Sequence, residues 1–315
     1  MSVKMPLPRF ALVAYVLVVC SGCVASLASA DATYMNTTGL ALSGMPELIS
    51  PQMLLALRCT MLFVNLLAIV LKLMKSEEKI VVHAPDSALE QSVVVPIKGA
   101  VWLTFFTFQS WLLQTFYLVG ATLCSTITLF GLELDLGSRL PTALWMAFEV
   151  SFAVAVLVSF IVKFVLIPTV ASKGGNLSGF FQVADLLMHN CNTLFMALEL
   201  LFNDLPVTFS HFPLAALWGL WYVTFSWFWM ALKKVCWYDF LDPTLPKAIL
   251  VHTVLVCVLG VFFALGSGLA AGAAAISSPY IRIAIVLTGV AAVSRTGLLR
   301  GIPRPRPTQP PPKSE

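Results

Sequence analysis

Charged residues are scarce in this chain of 315 amino acids. Asp, Glu, Lys and Arg together make up 11% of the sequence, whereas a typical soluble domain contains about 25%. Hydrophobic residues make up 59%, and the mean hydropathy is +0.90. A soluble globule cannot hide that much apolar surface from water. The composition therefore excludes this class and predicts that the chain lies mainly in the hydrocarbon of a membrane.

Concentrated basic charge and paired cysteines are missing as well. The formal net charge is only +4, and the basic residues lie between or beyond the apolar runs, so nucleic acid is not an expected partner. The seven cysteines lie mostly inside apolar runs, where free Cys behaves as a small hydrophobe. Cys20 and Cys23 have the C-x-x-C spacing but no strand-turn-helix context. We therefore expect no disulfide framework, no metal site and no cofactor.

Several apolar runs are long enough to cross about 30 Å of hydrocarbon. The candidate spans are 8–30, 52–74, 99–121, 141–168, 183–203, 213–232, 248–271 and 279–296. The sequence therefore predicts an all-α polytopic membrane helix bundle over residues 31–298, with a six-helix core from 52 to 271 and an extra C-terminal helix. Residues 1–30 fit either a cleavable signal peptide or a first membrane helix, and residues 299–315 fit a disordered, basic, Pro-rich tail.

The orientation of the bundle follows from Lys and Arg, which stay on the cytosolic side during insertion. Residues 31–52 contain neither, whereas the next connection, residues 75–98, contains three Lys. This alternation continues along the chain. It places residue 31 on the far side of the membrane and the tail after Arg295 in the cytosol, and we expect the protein in the endoplasmic reticulum or the plasma membrane.

Predicted span 183–203 is unusually polar. An ionisable side chain at the centre of a span costs about 2.5–3.5 kcal/mol on insertion scales. The helical period places the polar and adaptable residues of this span on one stripe that faces the protein interior. Such groups often only hydrogen-bond neighbouring helices together. We favour a functional site, because two carboxylates, an imidazole and an amide exceed what packing needs. The stripe consists of Asp185, His189, Asn192, Thr193, Met196 and Glu199.

A second polar face lies on predicted span 99–121, where Thr107, Ser110 and Gln114 are spaced three and four residues apart. A Thr in a membrane helix usually bonds the carbonyl one turn back. Both polar spans start at the cytosolic side, and a rise of 1.5 Å per residue places Thr107 about 12 Å and His189 about 9 Å from it. A hydroxyl beside an imidazole in a dry cavity is the minimum for nucleophilic catalysis. Because the site is reached through the membrane, a lipid is the expected substrate.

Several short motifs have a shared order and spacing. They are Thr107-Phe108 with Gln114, Lys163 with Pro168, Met188-His189 with Glu199, and the segment Tyr238-Asp239-Phe240-Leu241-Asp242. In these motifs, residues 52–272 resemble the androgen-induced and androgen-dependent TFPI-regulating protein family of multi-pass membrane hydrolases. Asp185 and Leu186 stand where that family has Asn and His, and Lys163 replaces Arg. The resemblance implies hydrolysis of fatty acid esters of hydroxy fatty acids, with Thr107 as nucleophile and His189 as its partner.

The expected mechanism assigns a role to each polar residue. His189, oriented by Asp185, deprotonates Thr107, which attacks the ester carbonyl; Glu199 has a supporting or substrate-binding role. The candidates to hold the oxyanion are Ser110, Gln114 and Asn192. The alternative is a non-catalytic transporter or scaffold in which Glu149 and the acidic and imidazole groups of the stripe relay protons or bind a solute. Broken spans with paired Gly or Pro, and an inverted repeat, would favour that alternative, and the sequence indicates neither. No protein partner is indicated.

Overall fold

The computed structural model describes residues 7–29, 35–83, 92–172 and 177–294, and within these ranges the fold is an all-α bundle with one small β-hairpin. The predicted signal cleavage after residue 30 and the predicted tail from 299 to 315 lie outside the described residues. The helices are α1 Leu7–Ser29, α2 Thr37–Ala41, α3 Pro51–Leu73, α4 Phe106–Phe130, α5 Arg139–Ile161, α6 Ile167–Ser172, α7 Val183–Leu186, α8 Asn192–Phe202, α9 Phe212–Lys233, α10 Ala248–Ala275 and α11 Pro279–Val293.

Six helical stretches in the described part of the chain are long and apolar enough to cross a membrane. The protein is therefore a multi-pass membrane protein, as predicted. The six stretches are Phe10–Ala28, Pro51–Leu73, Phe106–Phe130, Arg139–Ser172, Phe209–Lys233 and Ala248–Gly272.

The helix ends follow from local sequence. Ser50 caps α3, since its side chain accepts a hydrogen bond from the backbone N–H of Met53, and Pro51 occupies the first turn. Gly131 ends α4 in the left-handed conformation, with φ of 60°. A π turn, Val162–Leu166, joins α5 to α6 immediately before Pro168, which is expected because Pro cannot donate to the helical ladder.

The structure corrects the boundaries of predicted span 99–121. Residues Gly99–Thr104 form 3₁₀ turns, and α4 begins only at Phe106 and continues to Phe130. In its second half, the hydroxyl of Thr126 donates to the carbonyl of Thr122 at 2.8 Å and so satisfies itself within the helix. Thr107 therefore lies in the first turn of α4, and the predicted depth of 12 Å along this helix is wrong.

Predicted span 183–203 is interrupted. Helices α7 and α8 are joined by the π turn Leu187–Cys191. This segment nevertheless runs the length of the bundle: Asp185 contacts Lys72 at the end of α3, and Asn203 pairs with Ser43, which precedes α3. It is not among the six apolar stretches because it carries the polar stripe.

A β-hairpin, which the sequence analysis did not predict, follows α3. Strand β1, Glu78–His83, pairs antiparallel with β2, Ser92–Ile97. Both strands are rich in Val and Ile, the residue types that favour strands. The hairpin leads into the 3₁₀ turns before α4 and so helps to set where that helix begins.

The buried core forms around α4, α5 and α8, which α3, α9 and α10 enclose. Two glycines mark close helix contacts. A Cβ at Gly120 of α4 would lie 2.2 Å from a Leu144 methyl group of α5, and one at Gly266 of α10 would lie 2.7 Å from the Phe152 ring. Small residues at such contacts let membrane helices approach closely.

The predicted last span corresponds to α11, which has only 15 residues. At 1.5 Å per residue it is roughly 22 Å long, shorter than the hydrocarbon core of a typical bilayer. The cytosolic location of the C-terminus depends on whether α11 crosses.

We expect a peptide tag fused after Glu315 to be digested by protease added to intact microsomes, because Lys and Arg dominate the segment after α11. Detergent-permeabilised microsomes serve as the positive control. Protection of the tag in the intact vesicles would place the C-terminus in the lumen and would show that α11 does not cross.

Candidate functional site

Two ion pairs connect α3 to the antiparallel segment of α7 and α8. Arg58 donates two hydrogen bonds to Glu199, at 2.9 and 2.8 Å, and Lys72 contacts both carboxylate oxygens of Asp185, at 2.7 and 2.8 Å. Fourteen residues separate the two cations and fourteen separate the two acids. This spacing is close to four helical turns, so the pairs lie on matching faces roughly 21 Å apart along the helices.

The pair of Arg58 and Glu199, the inner pair, is completely buried. The side chains of Arg58 and Glu199 both have 0% exposure, which confirms that Glu199 faces the interior. Tyr117 and Asn203 donate to the same carboxylate at 2.6 and 3.0 Å, and Arg58 also donates to Ser125 at 2.6 Å. A carboxylate with this many protein donors is satisfied without a substrate. The arrangement favours the helix-packing interpretation of Glu199.

The pair of Lys72 and Asp185, the outer pair, lies beside an indole ring. The ammonium group of Lys72 is 3.7 Å from the centre of the Trp102 ring, a distance at which a cation is attracted to the ring face. The carboxylate of Asp185 is half-buried and binds Lys72 with both oxygens. Asp185 therefore takes part in an ion pair, and its predicted role of orienting His189 stays a prediction.

His189 and Asn192 lie where the π turn meets α5. The hydroxyl of Ser159 donates to the backbone carbonyl of His189 at 2.5 Å, which satisfies a carbonyl freed by the π turn. The amide oxygen of Asn192 accepts a hydrogen bond from the backbone N–H of Thr193 at 2.7 Å, and its amide nitrogen donates to the carbonyl of Ala155 at 3.3 Å. The second bond packs α8 onto α5. Because an amide nitrogen has two N–H donors, the predicted oxyanion role of Asn192 stays a prediction.

Thr107 lines an apolar cavity of about 90 Å³ between α4, α5, α9 and α10. Its polar lining residues, besides Thr107, are Tyr222, Tyr238 and His252. Burial raises the pKa of Tyr238 to about 12, while hydrogen bonding with Thr107 acts in the opposite direction. Tyr238 is thus a neutral phenol at physiological pH and interacts with the Thr107 hydroxyl. The apolar lining residues are Phe106, Leu157, Val158, Ile161, Val162, Leu166, Gly219, Leu220, Val223, Phe240, Leu241, Leu255, Val256 and Leu259.

The other two predicted residues of α4, Ser110 and Gln114, differ in whether their polar groups already have hydrogen-bond partners. The hydroxyl of Ser110 donates to the carbonyl of Phe106 at 2.8 Å, so it is used within the helix. Gln114 is buried, with 2% exposure, and its amide nitrogen has no hydrogen-bond partner among the described residues. Of the predicted oxyanion donors, Gln114 therefore keeps an unused donor.

Thr107 and His189 are carried by neighbouring elements, since α4 contacts the π turn Leu187–Cys191. His189 is not among the described residues that line the cavity with Thr107. The histidine that does line it is His252, which the sequence analysis did not single out. The signal was present: His252 lies in the otherwise apolar span 248–271, where any ionisable residue needs a reason.

A third pair joins a buried acid, Glu149, to a buried histidine, His211. Glu149 contacts His211 at 2.6 Å and accepts a hydrogen bond from the backbone N–H of Thr208 at 2.5 Å. Lys163, part of the resemblance motif, donates to the backbone carbonyls of Ala292 and Ser294 at the end of α11. These residues have structural partners and lie outside the lining of the Thr107 cavity.

A wider groove of about 450 Å³ lies between α4, α5 and α9, and its lining contains no charged residue. It offers space for acyl chains but no catalytic group. Within the described residues, no cluster of three or more His, Cys, Asp or Glu has the arrangement of a metal site. Comparisons of the chain with protein-family models, with curated proteins and with solved structures find no match.

Proposed function

We propose that this protein hydrolyses lipid esters within the membrane, with Thr107 as the nucleophile. The observation that carries the proposal is the position of Thr107 in the lining of an apolar cavity inside a membrane helix bundle. Such a cavity can accept part of a lipid and limits water. A nucleophilic mechanism needs a positioned hydroxyl together with a base and an oxyanion site. We place the enzyme in the endoplasmic reticulum or the plasma membrane.

His189 is the proposed base. It lies on a π turn that contacts α4, and π turns are frequent at functional sites. The motif resemblance to the androgen-induced hydrolase family supports the same pair. His189 takes the hydroxyl proton as Thr107 attacks the ester carbonyl, the alcohol leaves with that proton, and the acyl group stays on Thr107. Water activated by His189 then releases the acid.

The first turn of α4 is the proposed source of donors for the oxyanion, although the backbone of Phe106 and Thr107 there already hydrogen-bonds Tyr238. The first N–H groups of any helix lack partners within the helix, and Thr107 is the second residue of α4. Negative charge that develops beside Thr107 is therefore close to backbone donors and to the positive end of the helix dipole. The hydroxyl of Ser110, by contrast, already donates its proton within the helix.

The transporter or scaffold alternative receives less support from the contacts. A proton relay needs acidic groups that can change partners, whereas Glu199, Asp185 and Glu149 each have a basic partner within 2.8 Å. These pairs join α3 to the polar segment and α5 to the start of α9. They favour a role in holding the bundle together.

Labelling with a reactive lipid analogue tests the nucleophile. We expect a fluorophosphonate with a long alkyl chain to form an adduct that peptide mapping assigns to Thr107, because the chain concentrates the reagent in the bilayer and the activated hydroxyl attacks phosphorus as fluoride leaves. Thr107→Ala should lose the adduct. Thr126→Ala is the matched control, since its hydroxyl bonds its own helix, and it should be labelled like the wild type. An adduct at another residue would refute Thr107 as the nucleophile.

A further inference from the structure

His252 lines the Thr107 cavity and keeps an unused hydrogen-bond acceptor. The residue is 1% exposed, and its Nδ1 lies 2.6 Å from the carbonyl oxygen of Ala248. A carbonyl can only accept, so Nδ1 carries the proton and donates it. In the neutral ring, Nε2 is then the acceptor, and it has no partner among the described residues.

We expect the ring to be neutral because no acid is available to pair with a cation. Among the described residues, the lining of the cavity contains no Asp, Glu, Lys or Arg. An ionised group buried without a counter-charge is strongly disfavoured. The same reasoning applies to a ligand, so a molecule that enters this cavity should be uncharged.

The shape of the lining also limits the ligand. His252, Leu255, Val256 and Leu259 line the cavity at helical spacings of three, one and three, which defines one face of α10. The volume of about 90 Å³ is smaller than the cavity of about 150 Å³ that holds benzene in a well-studied case. Only the end of a lipid fits. Because Val256 and Ile161 are half-buried, the rest of the chain can extend towards the bilayer.

We propose that this cavity binds the hydroxyl-bearing end of an uncharged lipid, whose hydroxyl donates a hydrogen bond to Nε2 of His252. The hydroxyl satisfies the buried acceptor, and the adjoining methylene groups contact the leucine and valine side chains. The inference goes beyond the proposed hydrolysis, since binding requires no turnover, and the two share only the cavity.

Binding of 1-hexadecanol to the purified full-length protein in lipid nanodiscs tests the site. We expect saturable binding of the tritiated alcohol by the wild type, and binding that is roughly five- to tenfold weaker in His252→Phe, the factor expected for the loss of one net hydrogen bond. His252→Gln keeps an acceptor and should retain most of the affinity. Hexadecyl methyl ether has no donor, so it should bind the wild type more weakly than the alcohol does. Its own affinity should be the same in His252→Phe, because it makes no hydrogen bond to His252.

A matched pair of variants checks the location. Val256→Phe should block binding because this side chain lines the cavity, whereas Val254→Phe should not, because Val254 is 49% exposed on the outer face of the same helix. Unchanged hexadecanol affinity in His252→Phe, or equal competition by the ether, would overturn the inference. Hexadecanol contains no ester, so its binding and ester hydrolysis are separate results: wild-type protein that binds it without cleaving any ester keeps this inference and removes the hydrolase proposal.

Discussion

Glu199→Leu and Arg58→Met, made separately, are expected to prevent folding, whereas the double variant should recover folded protein. Removing one partner leaves the other as an uncompensated charge with 0% exposure, which costs about 3–5 kcal/mol. That is a large fraction of a typical total stability of about 5–15 kcal/mol. When both charges are replaced by apolar side chains, this cost disappears. Recovery should be partial, because Tyr117, Asn203 and Ser125 lose their charged partner.

The measurement is the yield of monodisperse protein in size-exclusion chromatography after detergent extraction, together with Tm. Arg139→Leu is the control for loss of an arginine, because Arg139 is exposed and should change Tm little. If the double variant were no better than either single variant, the two side chains would not be coupled, and the buried pair would not explain how α3 holds α8.

The two ion pairs have a consequence for membrane insertion. The free energy of transfer into the bilayer is less favourable for a segment that carries ionisable side chains. The segment from α7 to α8 carries Asp185, His189 and Glu199, and α3 carries Arg58 and Lys72. Because each cation meets an acid on the opposite helix, the two segments are more favourable together than apart. We infer that α3 and the segment from α7 to α8 stabilise each other in the bilayer.

The same arrangement shows what could be predicted from the sequence. Apolar runs of sufficient length predicted the long helices, and helical spacing predicted the buried side of Glu199, because both depend on local composition and period. The partner of Glu199 could not be predicted in this way. Arg58 is visible in an apolar run, but which helix lies opposite depends on packing between segments distant in sequence.

Only part of the candidate site could be predicted from the sequence. The position of Thr107 on a polar face was predicted, but the start of α4 was placed seven residues too early, because the 3₁₀ turns before it have an apolar sequence that reads as helix. The cavity joins Thr107 to Tyr238 and His252, which lie more than one hundred residues further along the chain. Only the folded bundle brings these three residues together.

Thr107→Ala is expected to abolish hydrolysis of fatty acid esters of hydroxy fatty acids while the protein still folds. The alanine removes the only atom proposed to attack the carbonyl. The packing cost is small, about 1–2 kcal/mol for a hydroxyl in a membrane helix. Thr107→Ser keeps the hydroxyl and should retain measurable activity. His189→Ala should lower kcat by roughly 10²–10⁴-fold, the usual contribution of a general base.

Release of free fatty acid by purified protein, followed by mass spectrometry, measures these rates, and Tm reports folding of each variant. Thr126→Ala should match the wild type in both, since its hydroxyl lies on the same helix but bonds the backbone. The His189 result tests the base separately from the nucleophile. If His189→Ala retains full activity, the proposed pair is wrong although the nucleophile stands. If Thr107→Ala hydrolyses the ester at the wild-type rate, the nucleophile itself is wrong, because no other residue could replace an attacking hydroxyl at the same position without a change in rate.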